Sequence, residues 1–255
     1  MSSILITGAS QGIGRAMALE LAGRGHRVIG TARNPENLAD LPLAERLRLD
    51  VTDQASVDAA IKAAGRIDVV VNNAGETMRA PLETVPVSEV ARLFDLNALG
   101  ALRVVQAALP GMRERGSGHL VFLSSIQGRM VLPIIGPYGM SKWAVEAMAE
   151  VLAIETGHFG VKVSLVQPGV VATDGGAKAK VYRTDDDPYG PLFDELPKTR
   201  GDVVTPEEVA KVVADTIEQE NPPLRVPAGA TATTLLAARK TAPENEVFFP
   251  YDINW

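Results

Sequence analysis

The sequence predicts an α/β fold, a doubly wound parallel sheet with helices on both faces, built as one domain over residues 1–255. Three observations carry this. Short runs that are apolar on both faces alternate with longer segments of helical periodicity, the pattern of strands covered by helices on each side. A glycine cluster stands between the first such run and the first helical segment. Neither a composition break nor a repeat of fixed period marks a second unit, and 255 residues at 46% hydrophobic and 22% charged suffice for a substantial core.

The elements follow in order. Ile4-Leu5-Ile6 is the first strand, Ile13 to Ala22 the first helix and Arg27-Val28-Ile29 the second strand. Ala55 to Ala64 is helical and Asp68-Val69-Val70-Val71 is a strand. Ser88 to Leu109 reads as one helix, capped by Ser88 and stopped by Pro110-Gly111. The strand Leu120 to Leu123, the helix Lys142 to Ile154 and the strand Val161 to Val166 complete the central alternation. A segment from 173 to 205 then leads to a helix beginning near Pro206. It contains Gly175-Gly176, the acidic run Asp185-Asp186-Asp187, Pro188, Pro191 and Pro197. A connection of this length in a compact domain is usually functional or mobile, so it is read as a substrate-binding loop or lid. The acidic run is read as a solvated face.

Composition excludes several classes. With 25 Lys+Arg against 31 Asp+Glu, net charge −6 and no basic run, nucleic acid is not an expected partner. Cysteine is absent, so disulfides and thiolate chemistry are ruled out, and His26, His119 and His158 lack metal-ligand spacing. Ile4 to Thr7 is too short for the apolar core of a secretory signal, and Arg103 interrupts the best membrane-span candidate, Ala98 to Met112. A cytoplasmic protein with no membrane span is expected.

Thr7-Gly8-Ala9-Ser10-Gln11-Gly12-Ile13-Gly14 joins the first strand directly to the first helix. Glycines there let the backbone approach a phosphate at a helix N-terminus, whose N–H groups and dipole favour an anion. The spacing, Gly-x3-Gly-x-Gly, differs from the general Gly-x-Gly-x-x-Gly dinucleotide pattern, and alone it could be an ordinary turn. An acid about 20 residues further on would bind the ribose 2′-hydroxyl of NAD. The second strand instead runs into Arg33, a cation suited to a 2′-phosphate, which points to NADP(H); the competing reading is a surface arginine.

Tyr138 and Lys142 are four apart at the start of a helical pattern and share a face. An ammonium beside a phenol, with an oxidised nicotinamide nearby, would lower the phenol pKa and make it a general acid or base. Ser125 follows the strand Leu120 to Leu123 at the carboxyl edge where open α/β sheets bind ligands. Alternation sends Ser124 and Ser125 to opposite faces, so only one reaches such a site, and either could merely finish the strand. Asn97 and Gly100 break helix propensity inside an otherwise helical run, which hints at a functional backbone distortion.

Taken together, Thr7-Gly8-x3-Gly12-Ile13-Gly14, Asn72-Asn73-Ala74-Gly75, Asn97, Ser125, Tyr138-x3-Lys142 and Pro168-Gly169-Val170-Val171-Ala172-Thr173 resemble the short-chain dehydrogenase/reductase family, in its single-domain branch with a Rossmann-type sheet. The resemblance implies a catalytic set of Asn97, Ser125, Tyr138 and Lys142. Tyr138 would exchange the proton, Ser125 hold the substrate oxygen, Lys142 bind the nicotinamide ribose and Asn97 hold a relay water. It implies cofactor contacts at Gly8, Ser10, Gln11, Gly12, Ile13, Gly14, Arg33, Asp50, Val51, Asn73, Ala74, Gly75, Tyr138, Lys142, Pro168, Gly169, Val171 and Thr173. Gln11 departs from the basic residue of many NADP-preferring members, and Arg15 is a candidate substitute. A homodimer or homotetramer is implied, with Ser88 to Leu109 and Lys142 to Ile154 pairing across a two-fold axis.

The expected function is hydride transfer between NADP(H) and a secondary alcohol or ketone, in the carbonyl reductase direction, on a small-molecule substrate. Val181, Tyr182, Tyr189, Leu192 and Phe193 suit a partly apolar substrate, or equally the packing of the lid on the core. There is a faint likeness to the branch acting on steroids and retinoids. The alternative is a non-catalytic NADP-binding redox sensor, for which an intact Ser, Tyr and Lys set has no physical need. An isomerase using the cofactor transiently is disfavoured by the length.

Overall fold

A computed structural model describes residues 1–173, 179–196 and 201–250. Gly175, Gly176 and Pro197 of the 173–205 segment lie outside the described residues. Along the chain come β1 (Ser3–Ile6), α1 (Gly12–Gly23), β2 (Arg27–Ala32), β3 (Glu45–Arg48), α2 (Gln54–Ala64), β4 (Val69–Asn72) and β5 (Met78–Arg79). Then follow α3 (Val87–Phe94), α4 (Gly100–Arg115), β6 (Gly118–Leu123), α5 (Gly136–Thr156), β7 (Val161–Pro168), β8 (Val170–Val171) and β9 (Lys180–Val181). The short helix Gly190–Glu195, β10 (Val203–Val204), the helix Pro206–Glu218, β11 (Arg225–Ala228) and the helix Ala230–Thr241 complete the described chain.

The main sheet has the order β11-β7-β6-β4-β1-β2-β3, with every neighbouring pair parallel. Its strands are apolar at successive positions because each face meets its own core. Ile4, Ile6, Val28, Val69, Val71 and Val121 face a cluster with α1 and the helix Pro206–Glu218. Leu5, Ile29, Val70, Leu120 and Phe122 face a second cluster with α2, α4 and α5. The strand order reverses between β1 and β4, and successive helices therefore leave to opposite faces and open a crevice at the carboxyl edge. Two small parallel pairs, β5 with β9 and β8 with β10, hold Lys180–Val181 and Val203–Val204 beside that edge.

Local rules set most boundaries. Asp53 caps α2 by accepting from Ala55 and Ser56 N–H, and Thr205 with Glu208 forms a capping box before Pro206. Two predicted boundaries are corrected. Pro86, not Ser88, precedes the first turn of α3, and no side chain caps it. Pro110 does not stop α4, which runs to Arg115 and ends at Gly116 in the left-handed conformation, φ +66. Pro110 lies on the exposed side, while Met112 one half-turn later is wholly buried against Gly118, so packing of the last turn outweighs the missing backbone donor. The edge strands β3 and β11 were not expected: Glu45-Arg46-Leu47-Arg48 alternates exposed charges, and β11 contains Pro227, tolerated at an edge.

The suspected distortion near Asn97 is real. Asp95–Leu99 is a π turn in which Gly100 N–H bonds to Asp95 O, five residues back. Gly100 is required at that point because a Cβ would lie 2.7 Å from Val51 Cγ2 and 2.9 Å from its Cβ. Arg103, the charge within the apolar run, reaches Asp95 at 2.6 Å and Val51 O at 3.2 Å and so braces the turn. Among the described residues no helix is long and apolar enough to cross a membrane. Gly100→Ala gains about 1 kcal/mol of helix propensity but overpacks Val51 by more, so we expect net destabilisation of about 1 kcal/mol or more in urea unfolding monitored by circular dichroism.

Candidate active site

The carboxyl edge carries a backbone cradle. Gly8 and Gly12 have φ of +68 and +53, which side-chain-bearing residues rarely adopt. A Cβ on Gly14 would stand 2.1 Å from Gly8 O and 2.6 Å from Asn73 Nδ2, and one on Gly8 would stand 3.1 Å from Ala74 Cα. Thr7 and Asn73 lock this loop to β4. The Thr7 hydroxyl accepts from Asn73 N at 2.9 Å and Ala74 N at 3.0 Å, and Asn73 Nδ2 donates to Thr7 O at 2.8 Å and Gly8 O at 3.1 Å. Gln11 is the exposed N-cap of α1 and supplies no side-chain cap, so the first N–H groups of α1 face the loop without one. Ser10 is half-buried in the same turn, and Ile13 packs onto the core beneath it. Across the loop, Thr173 Cγ2 would be 3.4 Å from a Cβ on Gly12, which brings the end of Pro168, Gly169 and Val171 to the same rim.

At the outer end Arg33 is exposed just after β2 and forms no ion pair among the described residues. Arg15, the candidate to replace a basic residue at position 11, is engaged by Asp40, bidentate at 3.0 and 2.6 Å. Burial raises the pKa of Asp50, but bonds from Thr52 and the charges of Arg33 and Arg48 overcome this and leave it below its ordinary value. Val51, expected among the cofactor contacts, has its side chain buried in the core under Gly100.

The second half of the edge is built by β6 and α5. Ser124 and Ser125 diverge as alternation requires. Ser124 turns inward and donates to Glu146 at 2.6 Å, whereas Ser125 accepts from Gln127 N at 3.2 Å and stands near enough to the Tyr138 phenol to act on its ionisation. Tyr138 is half-buried in the first turns of α5 and Lys142 is 6% exposed one turn later, its Nζ 5.6 Å from the Tyr138 ring centroid. Lys142 Nζ donates to Leu123 O at 2.7 Å. Burial pushes the Tyr138 phenol up to about 12, opposed by the nearby Ser125 hydroxyl. The protein alone therefore shifts the phenol opposite to the direction expected from its lysine neighbour. Burial lowers Lys142 to about 8, opposed by the charge of Glu146.

Asn97 is buried, and both of its amide donors are engaged, to Glu76 O and Ser141 Oγ at 2.9 Å each, while Oδ1 accepts from Glu76 N at 2.9 Å. Its side chain thus anchors the loop after Gly75, where a Cβ would be 3.0 Å from Asn97 Oδ1. Beside Gly136, at the start of α5, an open apolar cavity of about 300 Å³ is lined by Pro81, Leu82, Leu132, Ile134, Tyr189 and Leu192. Ile134 holds φ at +54, a strained conformation for a β-branched residue. Tyr189 donates to Glu83 across the rim. Of the aromatic and apolar residues in the 173–205 segment, Tyr189, Leu192 and Phe193 pack on Ile134 and Ile135, and Tyr182 packs with Tyr138 and Met78. These four pack against the body of the protein, Val181 stays exposed, and Tyr189 and Leu192 also face the cavity.

The family model described as short chain dehydrogenase matches residues 2–182. The chain belongs to the short-chain dehydrogenase family. Its relatives include the oxidoreductase BOA17 of Botryotinia fuckeliana strain B05.10, 36% identical over 246 residues, 89% of this chain and 88% of that protein. Human 17-beta-hydroxysteroid dehydrogenase type 1 is 36% identical over 248 residues, 87% of this chain and 76% of its own length. A solved structure of a short-chain dehydrogenase from Streptomyces avermitilis superposes with a TM-score of 0.85 at 36% identity, covering 94% of this chain and 92% of that one. The chain is thus an oxidoreductase of this family, with the doubly wound parallel sheet its motifs implied. The short-chain dehydrogenase motifs did not reveal Glu146, Ser141 or Arg225; for Glu146 the available signal was a carboxylate four residues after Lys142 on an otherwise apolar helix face.

Proposed function

We propose that the protein is an NADP(H)-dependent oxidoreductase acting on a secondary alcohol or ketone with an apolar body, working as a carbonyl reductase. The observation that carries this reading is the convergence of Ser125, Tyr138 and Lys142 at the carboxyl edge, beside a glycine cradle that excludes side chains. The cradle and the uncapped start of α1 suit a pyrophosphate, and the exposed Arg33 suits a 2′-phosphate. Gly8, Ser10, Gly12, Gly14, Asn73, Ala74, Gly75, Pro168, Gly169, Val171 and Thr173 would line the cofactor, with Asp50 near the adenine. When bound, the nicotinamide supplies or takes the hydride.

The remaining chemistry belongs to the chain. Tyr138 is protonated across the neutral range and so delivers a proton to the developing alkoxide during reduction. Ser125 donates to the same oxygen and orients it. The Lys142 ammonium, next to the phenol, stabilises the phenolate left behind and keeps donors free for the ribose. Asn97 secures the Glu76 backbone and thereby the floor of the nicotinamide side. The apolar cavity between 81–83 and 132–136 receives the substrate body, with Tyr189 and Leu192 closing its outer side. The name of the human relative, a hydroxysteroid dehydrogenase, accords with such a substrate.

We place the protein in the cytoplasm as one domain. It forms a homodimer or homotetramer through α4 and α5. Met140, Trp143, Ala147, Val151 and Ile154 make an exposed apolar stripe along α5 at helical spacing, and sedimentation at micromolar concentration should give at least a dimer.

Two outcomes test this reading. With NADPH and a panel of aliphatic, aromatic, steroid and sugar-derived ketones, Tyr138→Phe should lower turnover at least about 100-fold while NADPH binding persists; near-normal rates would remove Tyr138 from its role. Arg33→Ala should weaken NADPH binding roughly tenfold or more and leave NADH binding nearly unchanged in fluorescence titrations. An unchanged NADPH/NADH ratio would mean that the 2′-phosphate is held elsewhere, and NADPH binding without turnover on any ketone would favour a sensor.

A further inference from the structure

Tyr138, Lys142 and Glu146 stand at successive turns on one face of α5. Glu146 is 2% exposed. A carboxylate in such a place needs donors and a counter-charge to remain ionised. Three donors converge on it. Ser124 Oγ reaches Oε1 at 2.6 Å, Gln167 Nε2 reaches Oε1 at 2.9 Å and Arg225 Nε reaches Oε2 at 2.7 Å. They arrive from the residue after β6, from β7 and from β11, so one side chain fastens three adjacent strands to α5. The loop after Ser125 closes over it, a Cβ on Gly128 standing 2.8 Å from Glu146 Cγ. Arg225 extends to Glu150 at 2.6 Å on the next turn, and Arg129 acts on Glu150 from the side.

The charges along this line alternate: Lys142, Glu146, Arg225, Glu150. Lys142 and Glu146 also grip consecutive residues of one strand end, the first through Leu123 O and the second through the Ser124 hydroxyl. The next residue is Ser125. We propose that Glu146 is a positioning residue for proton exchange: its buried negative charge, oriented by Arg225, holds Lys142 as an ammonium, and its bond to Ser124 fixes the strand end that presents Ser125. Burial works against a charged Lys142, and Glu146 is the group that opposes burial. The charged groups facing Glu146 among the described residues are Lys142 on its own helix and Arg225 on β11, with Glu150 balancing Arg225 from outside.

This inference rests on the reading of Tyr138 and Lys142 as the proton-exchanging pair, but its test follows a proton on Lys142 and needs no substrate. The full-length protein is made with isotope-labelled lysine, the Lys142 signal is assigned with Lys142→Arg, and its titration is followed by NMR. In the wild type the midpoint should lie near 8. Glu146→Gln, which keeps a hydrogen-bonding head but removes the charge, should lower the midpoint by about one pH unit or more. Arg225→Gln removes the counter-charge that orients the buried Glu146 carboxylate, so it should lower the midpoint too, by less, whereas Glu146→Asp, which keeps the charge, should stay nearer the wild type. A purely structural role would move Glu146→Asp with Glu146→Gln, or move neither. A folded Glu146→Gln whose midpoint equals that of the wild type, or falls no further than that of Glu146→Asp, overturns the proposal. Should Glu146→Gln fail to fold, Arg225→Gln decides: a fall supports the proposal, and no change or a rise refutes it. Failure of every ketone to be reduced would overturn the proposed activity and leave this titration intact.

Discussion

The contact on which the rest of the structure depends is the bridge between Thr7 and Asn73, thrown across the boundary where the sheet reverses its order. At that boundary the chain leaves β1 toward one face and leaves β4 toward the other, so the ends of two adjacent strands lose their ladder partners together. The Thr7 hydroxyl and the Asn73 amide replace those partners with four hydrogen bonds between 2.8 and 3.1 Å. Once they are made, the glycine loop has nowhere to place side chains: Gly14 must pass against Gly8 O and Asn73 Nδ2, and Gly8 against Ala74. A gap shaped for backbone contact with an anion follows from closing the crevice and requires no further device.

The chemical half of the edge uses a different constraint. Its groups stand on a helix, α5, whose face is fixed by burial against the sheet, and not on a free loop. Successive turns of that helix carry a phenol, an ammonium and a carboxylate inward, while Leu123, Ser124 and Ser125 at the end of β6 receive them. The π turn at Asp95–Leu99 belongs to the same arrangement. It lets Asn97 reach inward to Glu76 and Ser141, and the absence of a side chain on Gly100 lets α4 settle against Val51. The cost of the irregular turn is offset by a buried amide with its donors satisfied.

What could be read from the sequence was what physics repeats at many positions. Strands covered on both faces must be largely apolar on each, so β1, β2, β4, β6 and β7 were legible, and β3 and β11, at the two edges of the sheet and with charges or proline, were not. The divergence of Ser124 and Ser125 followed from strand alternation alone. The distortion at Asn97 was visible as a breach of helix propensity, but its cause, the approach of Val51, is a contact between distant segments that no local pattern carries. Pro110 misled for the same reason, since the burial of Met112 that extends α4 is tertiary. The pairing of Arg15 with Asp40 and the convergence of three strands on Glu146 likewise exist only once the chain is folded.

If the glycine cradle and the α5 face form one nicotinamide site, a crystal structure of the protein grown with NADP⁺ will show density for the pyrophosphate over Gly12 and the start of α1. The 2′-phosphate will lie against Arg33 and the nicotinamide ribose at Lys142, with the ring beside Tyr138. Dinucleotide density elsewhere on the protein, or a bound nucleotide whose nicotinamide lies away from Tyr138 and Ser125, would contradict it.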